Sequence, residues 1–147
     1  MHMEISAILN RKNPEAFSTS PDTTVFDAIQ VMADKNIGAL LVMVGDKLEG
    51  IISERDYTRK IALKGKSSKQ TPVREIMISP VITVTPNHTI EDCMRIMTDH
   101  RIRHLPVLVS ERVVGVISIG DLVNWTISYQ KETIHQMEDY IAGHYPG

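Results

Sequence analysis

Apolar and polar positions along this chain change their period in a fixed order, and they do so twice. Val25, Ala28, Ile29 and Met32 recur at the spacing of one helix face. A continuous apolar run follows, Ala39-Leu40-Leu41-Val42-Met43-Val44. Gly45-Asp46 then turns the chain, and Glu49-Gly50-Ile51-Ile52 returns as a hairpin partner. The same order reappears in Ile90, Cys93, Met94 and Met97, then His104-Leu105-Pro106-Val107-Leu108-Val109, the turn Ser110-Glu111, and Val114-Gly115-Val116-Ile117. Short strands are predicted ahead of each helix, at Phe17-Ser18-Thr19 and Val81-Ile82-Thr83-Val84, ended by Ser20-Pro21 and Thr85-Pro86. Thr24 to Asp27 and Thr89 to Asp92 both fit a helix start, with a hydroxyl to take an orphan amide and a carboxylate three residues on.

The duplication is in register. An offset of 65 joins Pro21 to Pro86, Thr24 to Thr89, Met32 to Met97, Asp34 to Asp99, Ile37 to Ile102, Leu40 to Leu105, Ser53 to Ser118 and Asp56 to Asp121. A β-α-β-β-α unit therefore occurs twice, over residues 5–63 and 72–127. Residues 64–71 form a polar linker, and 128–147 a helical extension and tail. Thr71-Pro72 reads as an N-cap followed by proline at a first helical position. A unit of about 60 residues is marginal alone, so the two copies are expected to share one interior around a pseudo-twofold axis, in an α+β fold. The last helix is predicted from about Gly120 to Ile141, ended by Gly143 and Pro146. Ile127, Ile134, Met137 and Ile141 lie along a stripe that suits a contact with a second copy, a homodimer. Trp125 and Tyr129 read as a packing pair on it.

Composition narrows the class. Of 147 residues, 42% are hydrophobic and 23% charged, which supports a packed core and argues against wholesale disorder. A net charge of −2 gives no global attraction to nucleic acid or anionic lipid. Lys60, Lys64, Lys66 and Lys69 read as a solvated linker, with no aromatic residue interleaved for base stacking. The single cysteine, Cys93, rules out an intrachain disulfide and falls at an apolar helical position, a buried small hydrophobe in a reducing, cytoplasmic setting. No apolar stretch approaches the ~20 residues of a membrane span, and no signal peptide is visible. Met1-His2-Met3 reads as an added leader before a start at Met3, which sets His2 aside.

The duplicated heptads, GIISERD at 50–56 and GVISIGD at 115–121, carry the candidate chemistry. Ser53 with Asp56, and Ser118 with Asp121, have capping-box spacing, which needs no ligand. The same geometry offers free amides and a positive dipole end to a phosphate, a hydroxyl donor, and an acid able to accept from a ribose diol. Gly50 and Gly115 would let backbone approach a flat base. No nucleophile-base-acid set and no Gly-rich phosphate loop is present. His100 and His104 are four apart but cross a predicted helix end, with no third metal ligand in sight, so no metal is expected.

The paired repeat, with G-[IV]-I-S-x-x-D in each copy and Arg103-His104-Leu105-Pro106-Val107 in the second, resembles a stand-alone tandem cystathionine-β-synthase (CBS) domain pair, or Bateman module. The resemblance implies a regulatory module without catalytic activity. It implies two clefts binding adenosine compounds (AMP, ADP, ATP, NAD-type dinucleotides or S-adenosylmethionine), a homodimer, and a regulated protein partner. Ser53 and Ser118 match the hydroxyl near ribose or phosphate, and Asp56 and Asp121 the ribose-binding acid. Arg103 and His104 match a basic pair facing phosphates, while Pro80-Val81-Ile82, and more loosely Glu15-Ala16-Phe17, match the segment bordering the base. The copies differ where the first has Gly38-Ala39 against Arg103-His104, and Arg55 against Gly120, so the clefts are expected to have unequal affinities. An enzyme turning over ATP or NAD and a nucleotide-independent structural or nucleic-acid-binding dimer are the rival classes.

Overall fold

The structure, a computed structural model, describes residues 3–11 and 16–141. His2, Glu15, Gly143 and Pro146 lie outside the described residues. In chain order the elements are α1 (Ser6–Arg11), β1 (Ser18–Thr19), α2 (Val25–Lys35), β2 (Ala39–Val44), β3 (Lys47–Ser53), α3 (Glu54–Tyr57) continued by a π-helical turn (Thr58–Ala62), a 3-10 turn (Val73–Glu75), α4 (Ile90–His100), β4 (His104–Val109), β5 (Arg112–Ser118) and α5 (Ile119–Ile141).

The 65-residue repeat is reproduced down to local defects. β2 pairs antiparallel with β3, Leu40 facing Ile52, and β4 with β5, Leu105 facing Ile117; a bulge falls at Val42/Met43 and again at Val107/Leu108. Thr24 and Thr89 cap α2 and α4, each hydroxyl accepting from the amide three residues on, at 3.2 and 3.0 Å. Both helices end in the left-handed region, at Asn36 (φ 53°) and Arg101 (φ 54°).

The first strands are not equivalent. β1 lies parallel on β2, held by the Leu41 amide donating to Phe17 O at 3.1 Å. The counterpart of Leu41 is Pro106, which has no N–H to give. The strand expected over residues 81–84 is thereby reduced to one parallel bridge, Val84 to Val107.

The expected single interior is instead two cores. Val25, Ala28, Met32, Leu40, Val42, Ile52, Ile61, Val73 and Ile76 form one; Ile5, Ile8, Val84, Ile90, Cys93, Met97, Leu105, Val107, Ile117 and Leu122 form the other. Each contains residues from the opposite end of the sequence. The Val25 amide donates to Thr71 O and the Ile90 amide to Met3 O, both at 2.9 Å. Val73 donates to Thr23 O and Ile5 to His88 O; Arg74 donates to Pro21 O and Ser6 to Pro86 O. Residues 3–8 thus serve the second copy as 71–76 serve the first, at an offset of 68 rather than 65. Thr71 is not an N-cap. It is buried, its hydroxyl donates to Ser67 O at 2.7 Å, and the turn after Pro72 carries no side-chain cap.

Beyond Thr126, α5 is exposed at every described side chain through Glu138, including Ile127, Ile134 and Met137. Trp125 packs back against the second core, with its indole N–H on the Met3 sulfur, while Tyr129 is exposed. No helix among the described residues is long and apolar enough to cross a membrane.

Candidate functional site

A cavity of about 890 Å³ opens between the two copies. From the first it takes Gly38, Ile51, Ser53, Glu54, Arg55, Asp56, Thr58, Arg59 and Lys60. From the connecting stretch and the second copy come Ile78, Val81, Ile82, His100, Arg101, Ile102, Arg103 and His104. Its size is that of a small-molecule binding site.

The Ser53 end is built as a reciprocal cap. Asp56 Oδ2 accepts from the Ser53 amide at 2.9 Å and from its hydroxyl at 3.0 Å, while Ser53 Oγ accepts from the Asp56 amide at 3.2 Å. The capping reading of this heptad therefore holds as local geometry. Asp56 nonetheless stays on the cavity wall, 7% exposed, and its other oxygen lies 3.4 Å from Lys60 Nζ. A carboxylate offers about four acceptor positions, so acceptor capacity remains for a hydroxyl. Ser118 and Asp121 form the matching cap at the start of α5, at 2.8 and 3.1 Å.

Cations dominate the wall. Arg55, Arg59, Lys60, Arg101 and Arg103 stand against the acids Glu54 and Asp56. The repeat offset shows how one-sided this supply is. The counterpart of Arg59 is Asn124, of Lys60 Trp125, of Arg101 Asn36, and of Arg103 Gly38. Arg103-His104 and Gly38 are not simply alternatives at equivalent sites; they meet. A Cβ on Gly38 would lie 3.3 Å from the His104 ring, so the bare glycine makes room for the imidazole across the axis.

Of the residues singled out in the sequence, Gly38, Ser53, Arg55, Asp56, Val81, Ile82, Arg103 and His104 are brought together on this cavity. Ala39, Pro80, Ser118, Gly120 and Asp121 are not on it. Ala39 pairs with Ser53 in the hairpin, Pro80 is exposed, and no residue of the second heptad lines this cavity. Gly50 also departs from expectation. A Cβ there would meet Met77 Sδ at 2.6 Å and Ile78 O at 3.1 Å, so the close approach is to the chain's own connecting strap rather than a base. That strap is held by paired amide bonds between Ile51 and Ile78, at 2.9 and 3.1 Å.

Lys60 is the clearest omission of sequence reasoning. It belongs to the π turn, not to the linker, and donates to Ile76 O at 2.9 Å. Its i, i+4 relation to Asp56 was the available signal. Lys69, which does lie in the linker, sits 4.9 Å over the Phe26 ring, an aromatic neighbour distant in sequence. Arg101 was hidden by its αL position at the end of α4. Among the described residues no group of three or more His, Cys, Asp or Glu side chains is placed to hold a metal ion.

Comparison with known proteins agrees with this architecture. The family model described as CBS domain matches residues 5–63 and 73–128. A CBS domain-containing protein of Arabidopsis thaliana, CBSX3, mitochondrial, is 41% identical over 96% of this chain and 73% of its own length. The CBS domain-containing protein YhcV of Bacillus subtilis is 30% identical over 95% and 91%. A solved structure from Burkholderia ambifaria, a candidate signal-transduction protein with CBS domains, superposes with a TM-score of 0.83 at 46% identity, covering 86% of this chain and 95% of its own. None of these descriptions names a reaction.

Proposed function

Because this chain belongs to the CBS-domain family, we propose that it is a non-catalytic sensor whose inter-copy cavity binds an adenosine nucleotide, AMP, ADP, ATP or an NAD-type dinucleotide, and passes occupancy to a protein partner. The observation that supports this reading is the cavity itself. It is walled by both copies, with an acid beside a capped helix start and five cationic side chains against two carboxylates. A ligand that touches both copies favours the arrangement in which it does so, and that bias is the signal. The excess positive charge suits phosphate and disfavours the sulfonium of S-adenosylmethionine. Its one-sided supply makes this the stronger of the two clefts; one charge-assisted contact, at about 1.5–3 kcal/mol, separates them tenfold or more. The uncovered stripe of α5 is the surface we assign to self-association, and a reducing cytoplasmic setting suits the free thiol of Cys93.

The test is a thermal-shift screen with AMP, ADP, ATP, NAD, NADH and S-adenosylmethionine. At least one phosphate-bearing compound raises the melting temperature of the parent. Arg103→Ala diminishes the response, whereas Lys131→Gln, at an exposed position of α5 off this cavity, leaves it intact. A screen in which no compound stabilises the folded parent sinks the proposal.

A further inference from the structure

Two of the cations on the cavity wall are already engaged with main-chain carbonyls outside the α3 and π-turn unit that supplies them, Lys60 in addition to its ion pair with Asp56. Arg55 Nη1 donates to Arg101 O at 3.1 Å, a contact between the two copies 46 residues apart. Lys60 Nζ donates to Ile76 O at 2.9 Å, 16 residues on. The two acceptors hold related places. Arg101 ends α4 in the left-handed region and begins the stretch 101–104 that lines the cavity. Ile76 closes the 3-10 turn and begins the strap whose Ile78, Val81 and Ile82 line it from the other direction. The α3 and π-turn unit therefore grips both chain segments through which the second copy reaches the site.

We infer that Arg55 and Lys60 are latches: in the free protein they hold these two carbonyls, and a phosphate group entering the cavity draws the cations away, so occupancy is transmitted as release of residues 98–104 and 76–82. The inference rests on the nucleotide reading and supplies its transmission step. A carbonyl oxygen is a neutral dipole, whereas a phosphate oxygen carries charge. A bond to the ionised acceptor is roughly twice as strong, and a guanidinium can meet it with two parallel donors. Both side chains are within reach of the cavity and at least partly solvated, so neither must cross a packed core to change partner. The second copy cannot operate the same way, because Gly120 and Trp125 stand where Arg55 and Lys60 stand in the first.

Hydrogen-exchange mass spectrometry on the full chain tests this, with Arg55→Gln and Lys60→Met as variants and thermal melts to establish that both are folded. In the free protein, Arg55→Gln speeds exchange of peptides spanning 98–104 by about fivefold, the effect of losing one ordinary hydrogen bond, and Lys60→Met does the same for 76–82. Unchanged exchange in both segments overturns the latches whether or not any nucleotide binds. With ADP, the parent's 98–104 exchange rises toward the rate of Arg55→Gln, and ADP leaves that variant's rate where it was. ADP that raises the melting temperature yet protects 98–104 equally in parent and variant overturns the release step while leaving nucleotide binding intact. Absence of any effect of AMP, ADP, ATP and NAD on melting and exchange removes the nucleotide reading and the release step together, and the free-protein comparison still decides the static latch.

Discussion

Gly50→Ala puts the strap to a quantitative test. The new Cβ would stand 2.6 Å from Met77 Sδ, 3.0 Å from its Cγ and 3.1 Å from Ile78 O. The sulfur is the end of a flexible side chain and can swing aside. The carbonyl cannot move freely, since Ile78 is tied to Ile51 by two backbone bonds. Overpacking of this kind costs about 1–3 kcal/mol, and loss of the paired bonds would add about 1 kcal/mol each. For a chain of this size the overpacking alone is a fall in melting temperature of roughly 3–10 °C. Thermal unfolding of parent, Gly50→Ala, Met77→Ala and the double variant separates the sources. Met77→Ala relieves only the side-chain part, so the double variant remains less stable than Met77→Ala alone by the share due to Ile78 O. Gly45→Ala is the control. With φ at +59° and no atom within 4 Å of a Cβ, it should cost only the ~1 kcal/mol of a left-handed alanine and leave ligand responses unchanged. A Gly50→Ala protein that melts with the parent refutes the packing of the strap on β3.

In the second hairpin, Ser110 (φ 50°) and Glu111 (φ 67°) both occupy the left-handed region without being glycine, so Glu111→Gly should stabilise by about 1 kcal/mol, read as a higher melting temperature. Burial pushes the Cys93 thiol up to about 11 from its ordinary 9.0, so it should resist alkylation in the folded protein at neutral pH and react only on unfolding. Because the folded value is the higher one, its contribution to stability is complete below pH 9 and declines as the pH rises from 9 toward 11, which chemical denaturation across that range would show. Ile134→Lys on the exposed stripe of α5 should lower the oligomeric state in sedimentation velocity without changing the melting behaviour of dilute protein; an unchanged sedimentation coefficient would move self-association elsewhere.

The elements were legible because their signals are local. Capping threonines, turn residues and the apolar spacing of α2 and α4 act within one or two helical turns, and the offset of 65 carried each of them to its counterpart. What escaped depends on a different offset or a single missing donor. The resemblance of Ile5 and Ile8 to Val73 and Ile76 runs at 68, so a search in register with the heptads passes over it. Pro106 erases a strand neighbour through an absent N–H, which no apolar pattern reveals. At the site, the heptad and Arg103-His104 could be read by resemblance, and Lys60 by its i, i+4 relation to Asp56, but Arg101 joins them only once the copies are placed face to face.

The trading of leading segments means that the unit duplicated in the gene is not the unit that closes a core. Cut between residues 63 and 72, neither fragment would keep its own plug: the first would carry Ile5 and Ile8 with no groove to fill, and the second would leave its own groove open. A lone copy could complete itself by reciprocal trade with another identical chain, as the two halves do here. Joining the two copies end to end makes permanent an embrace that separate chains would have to find by collision.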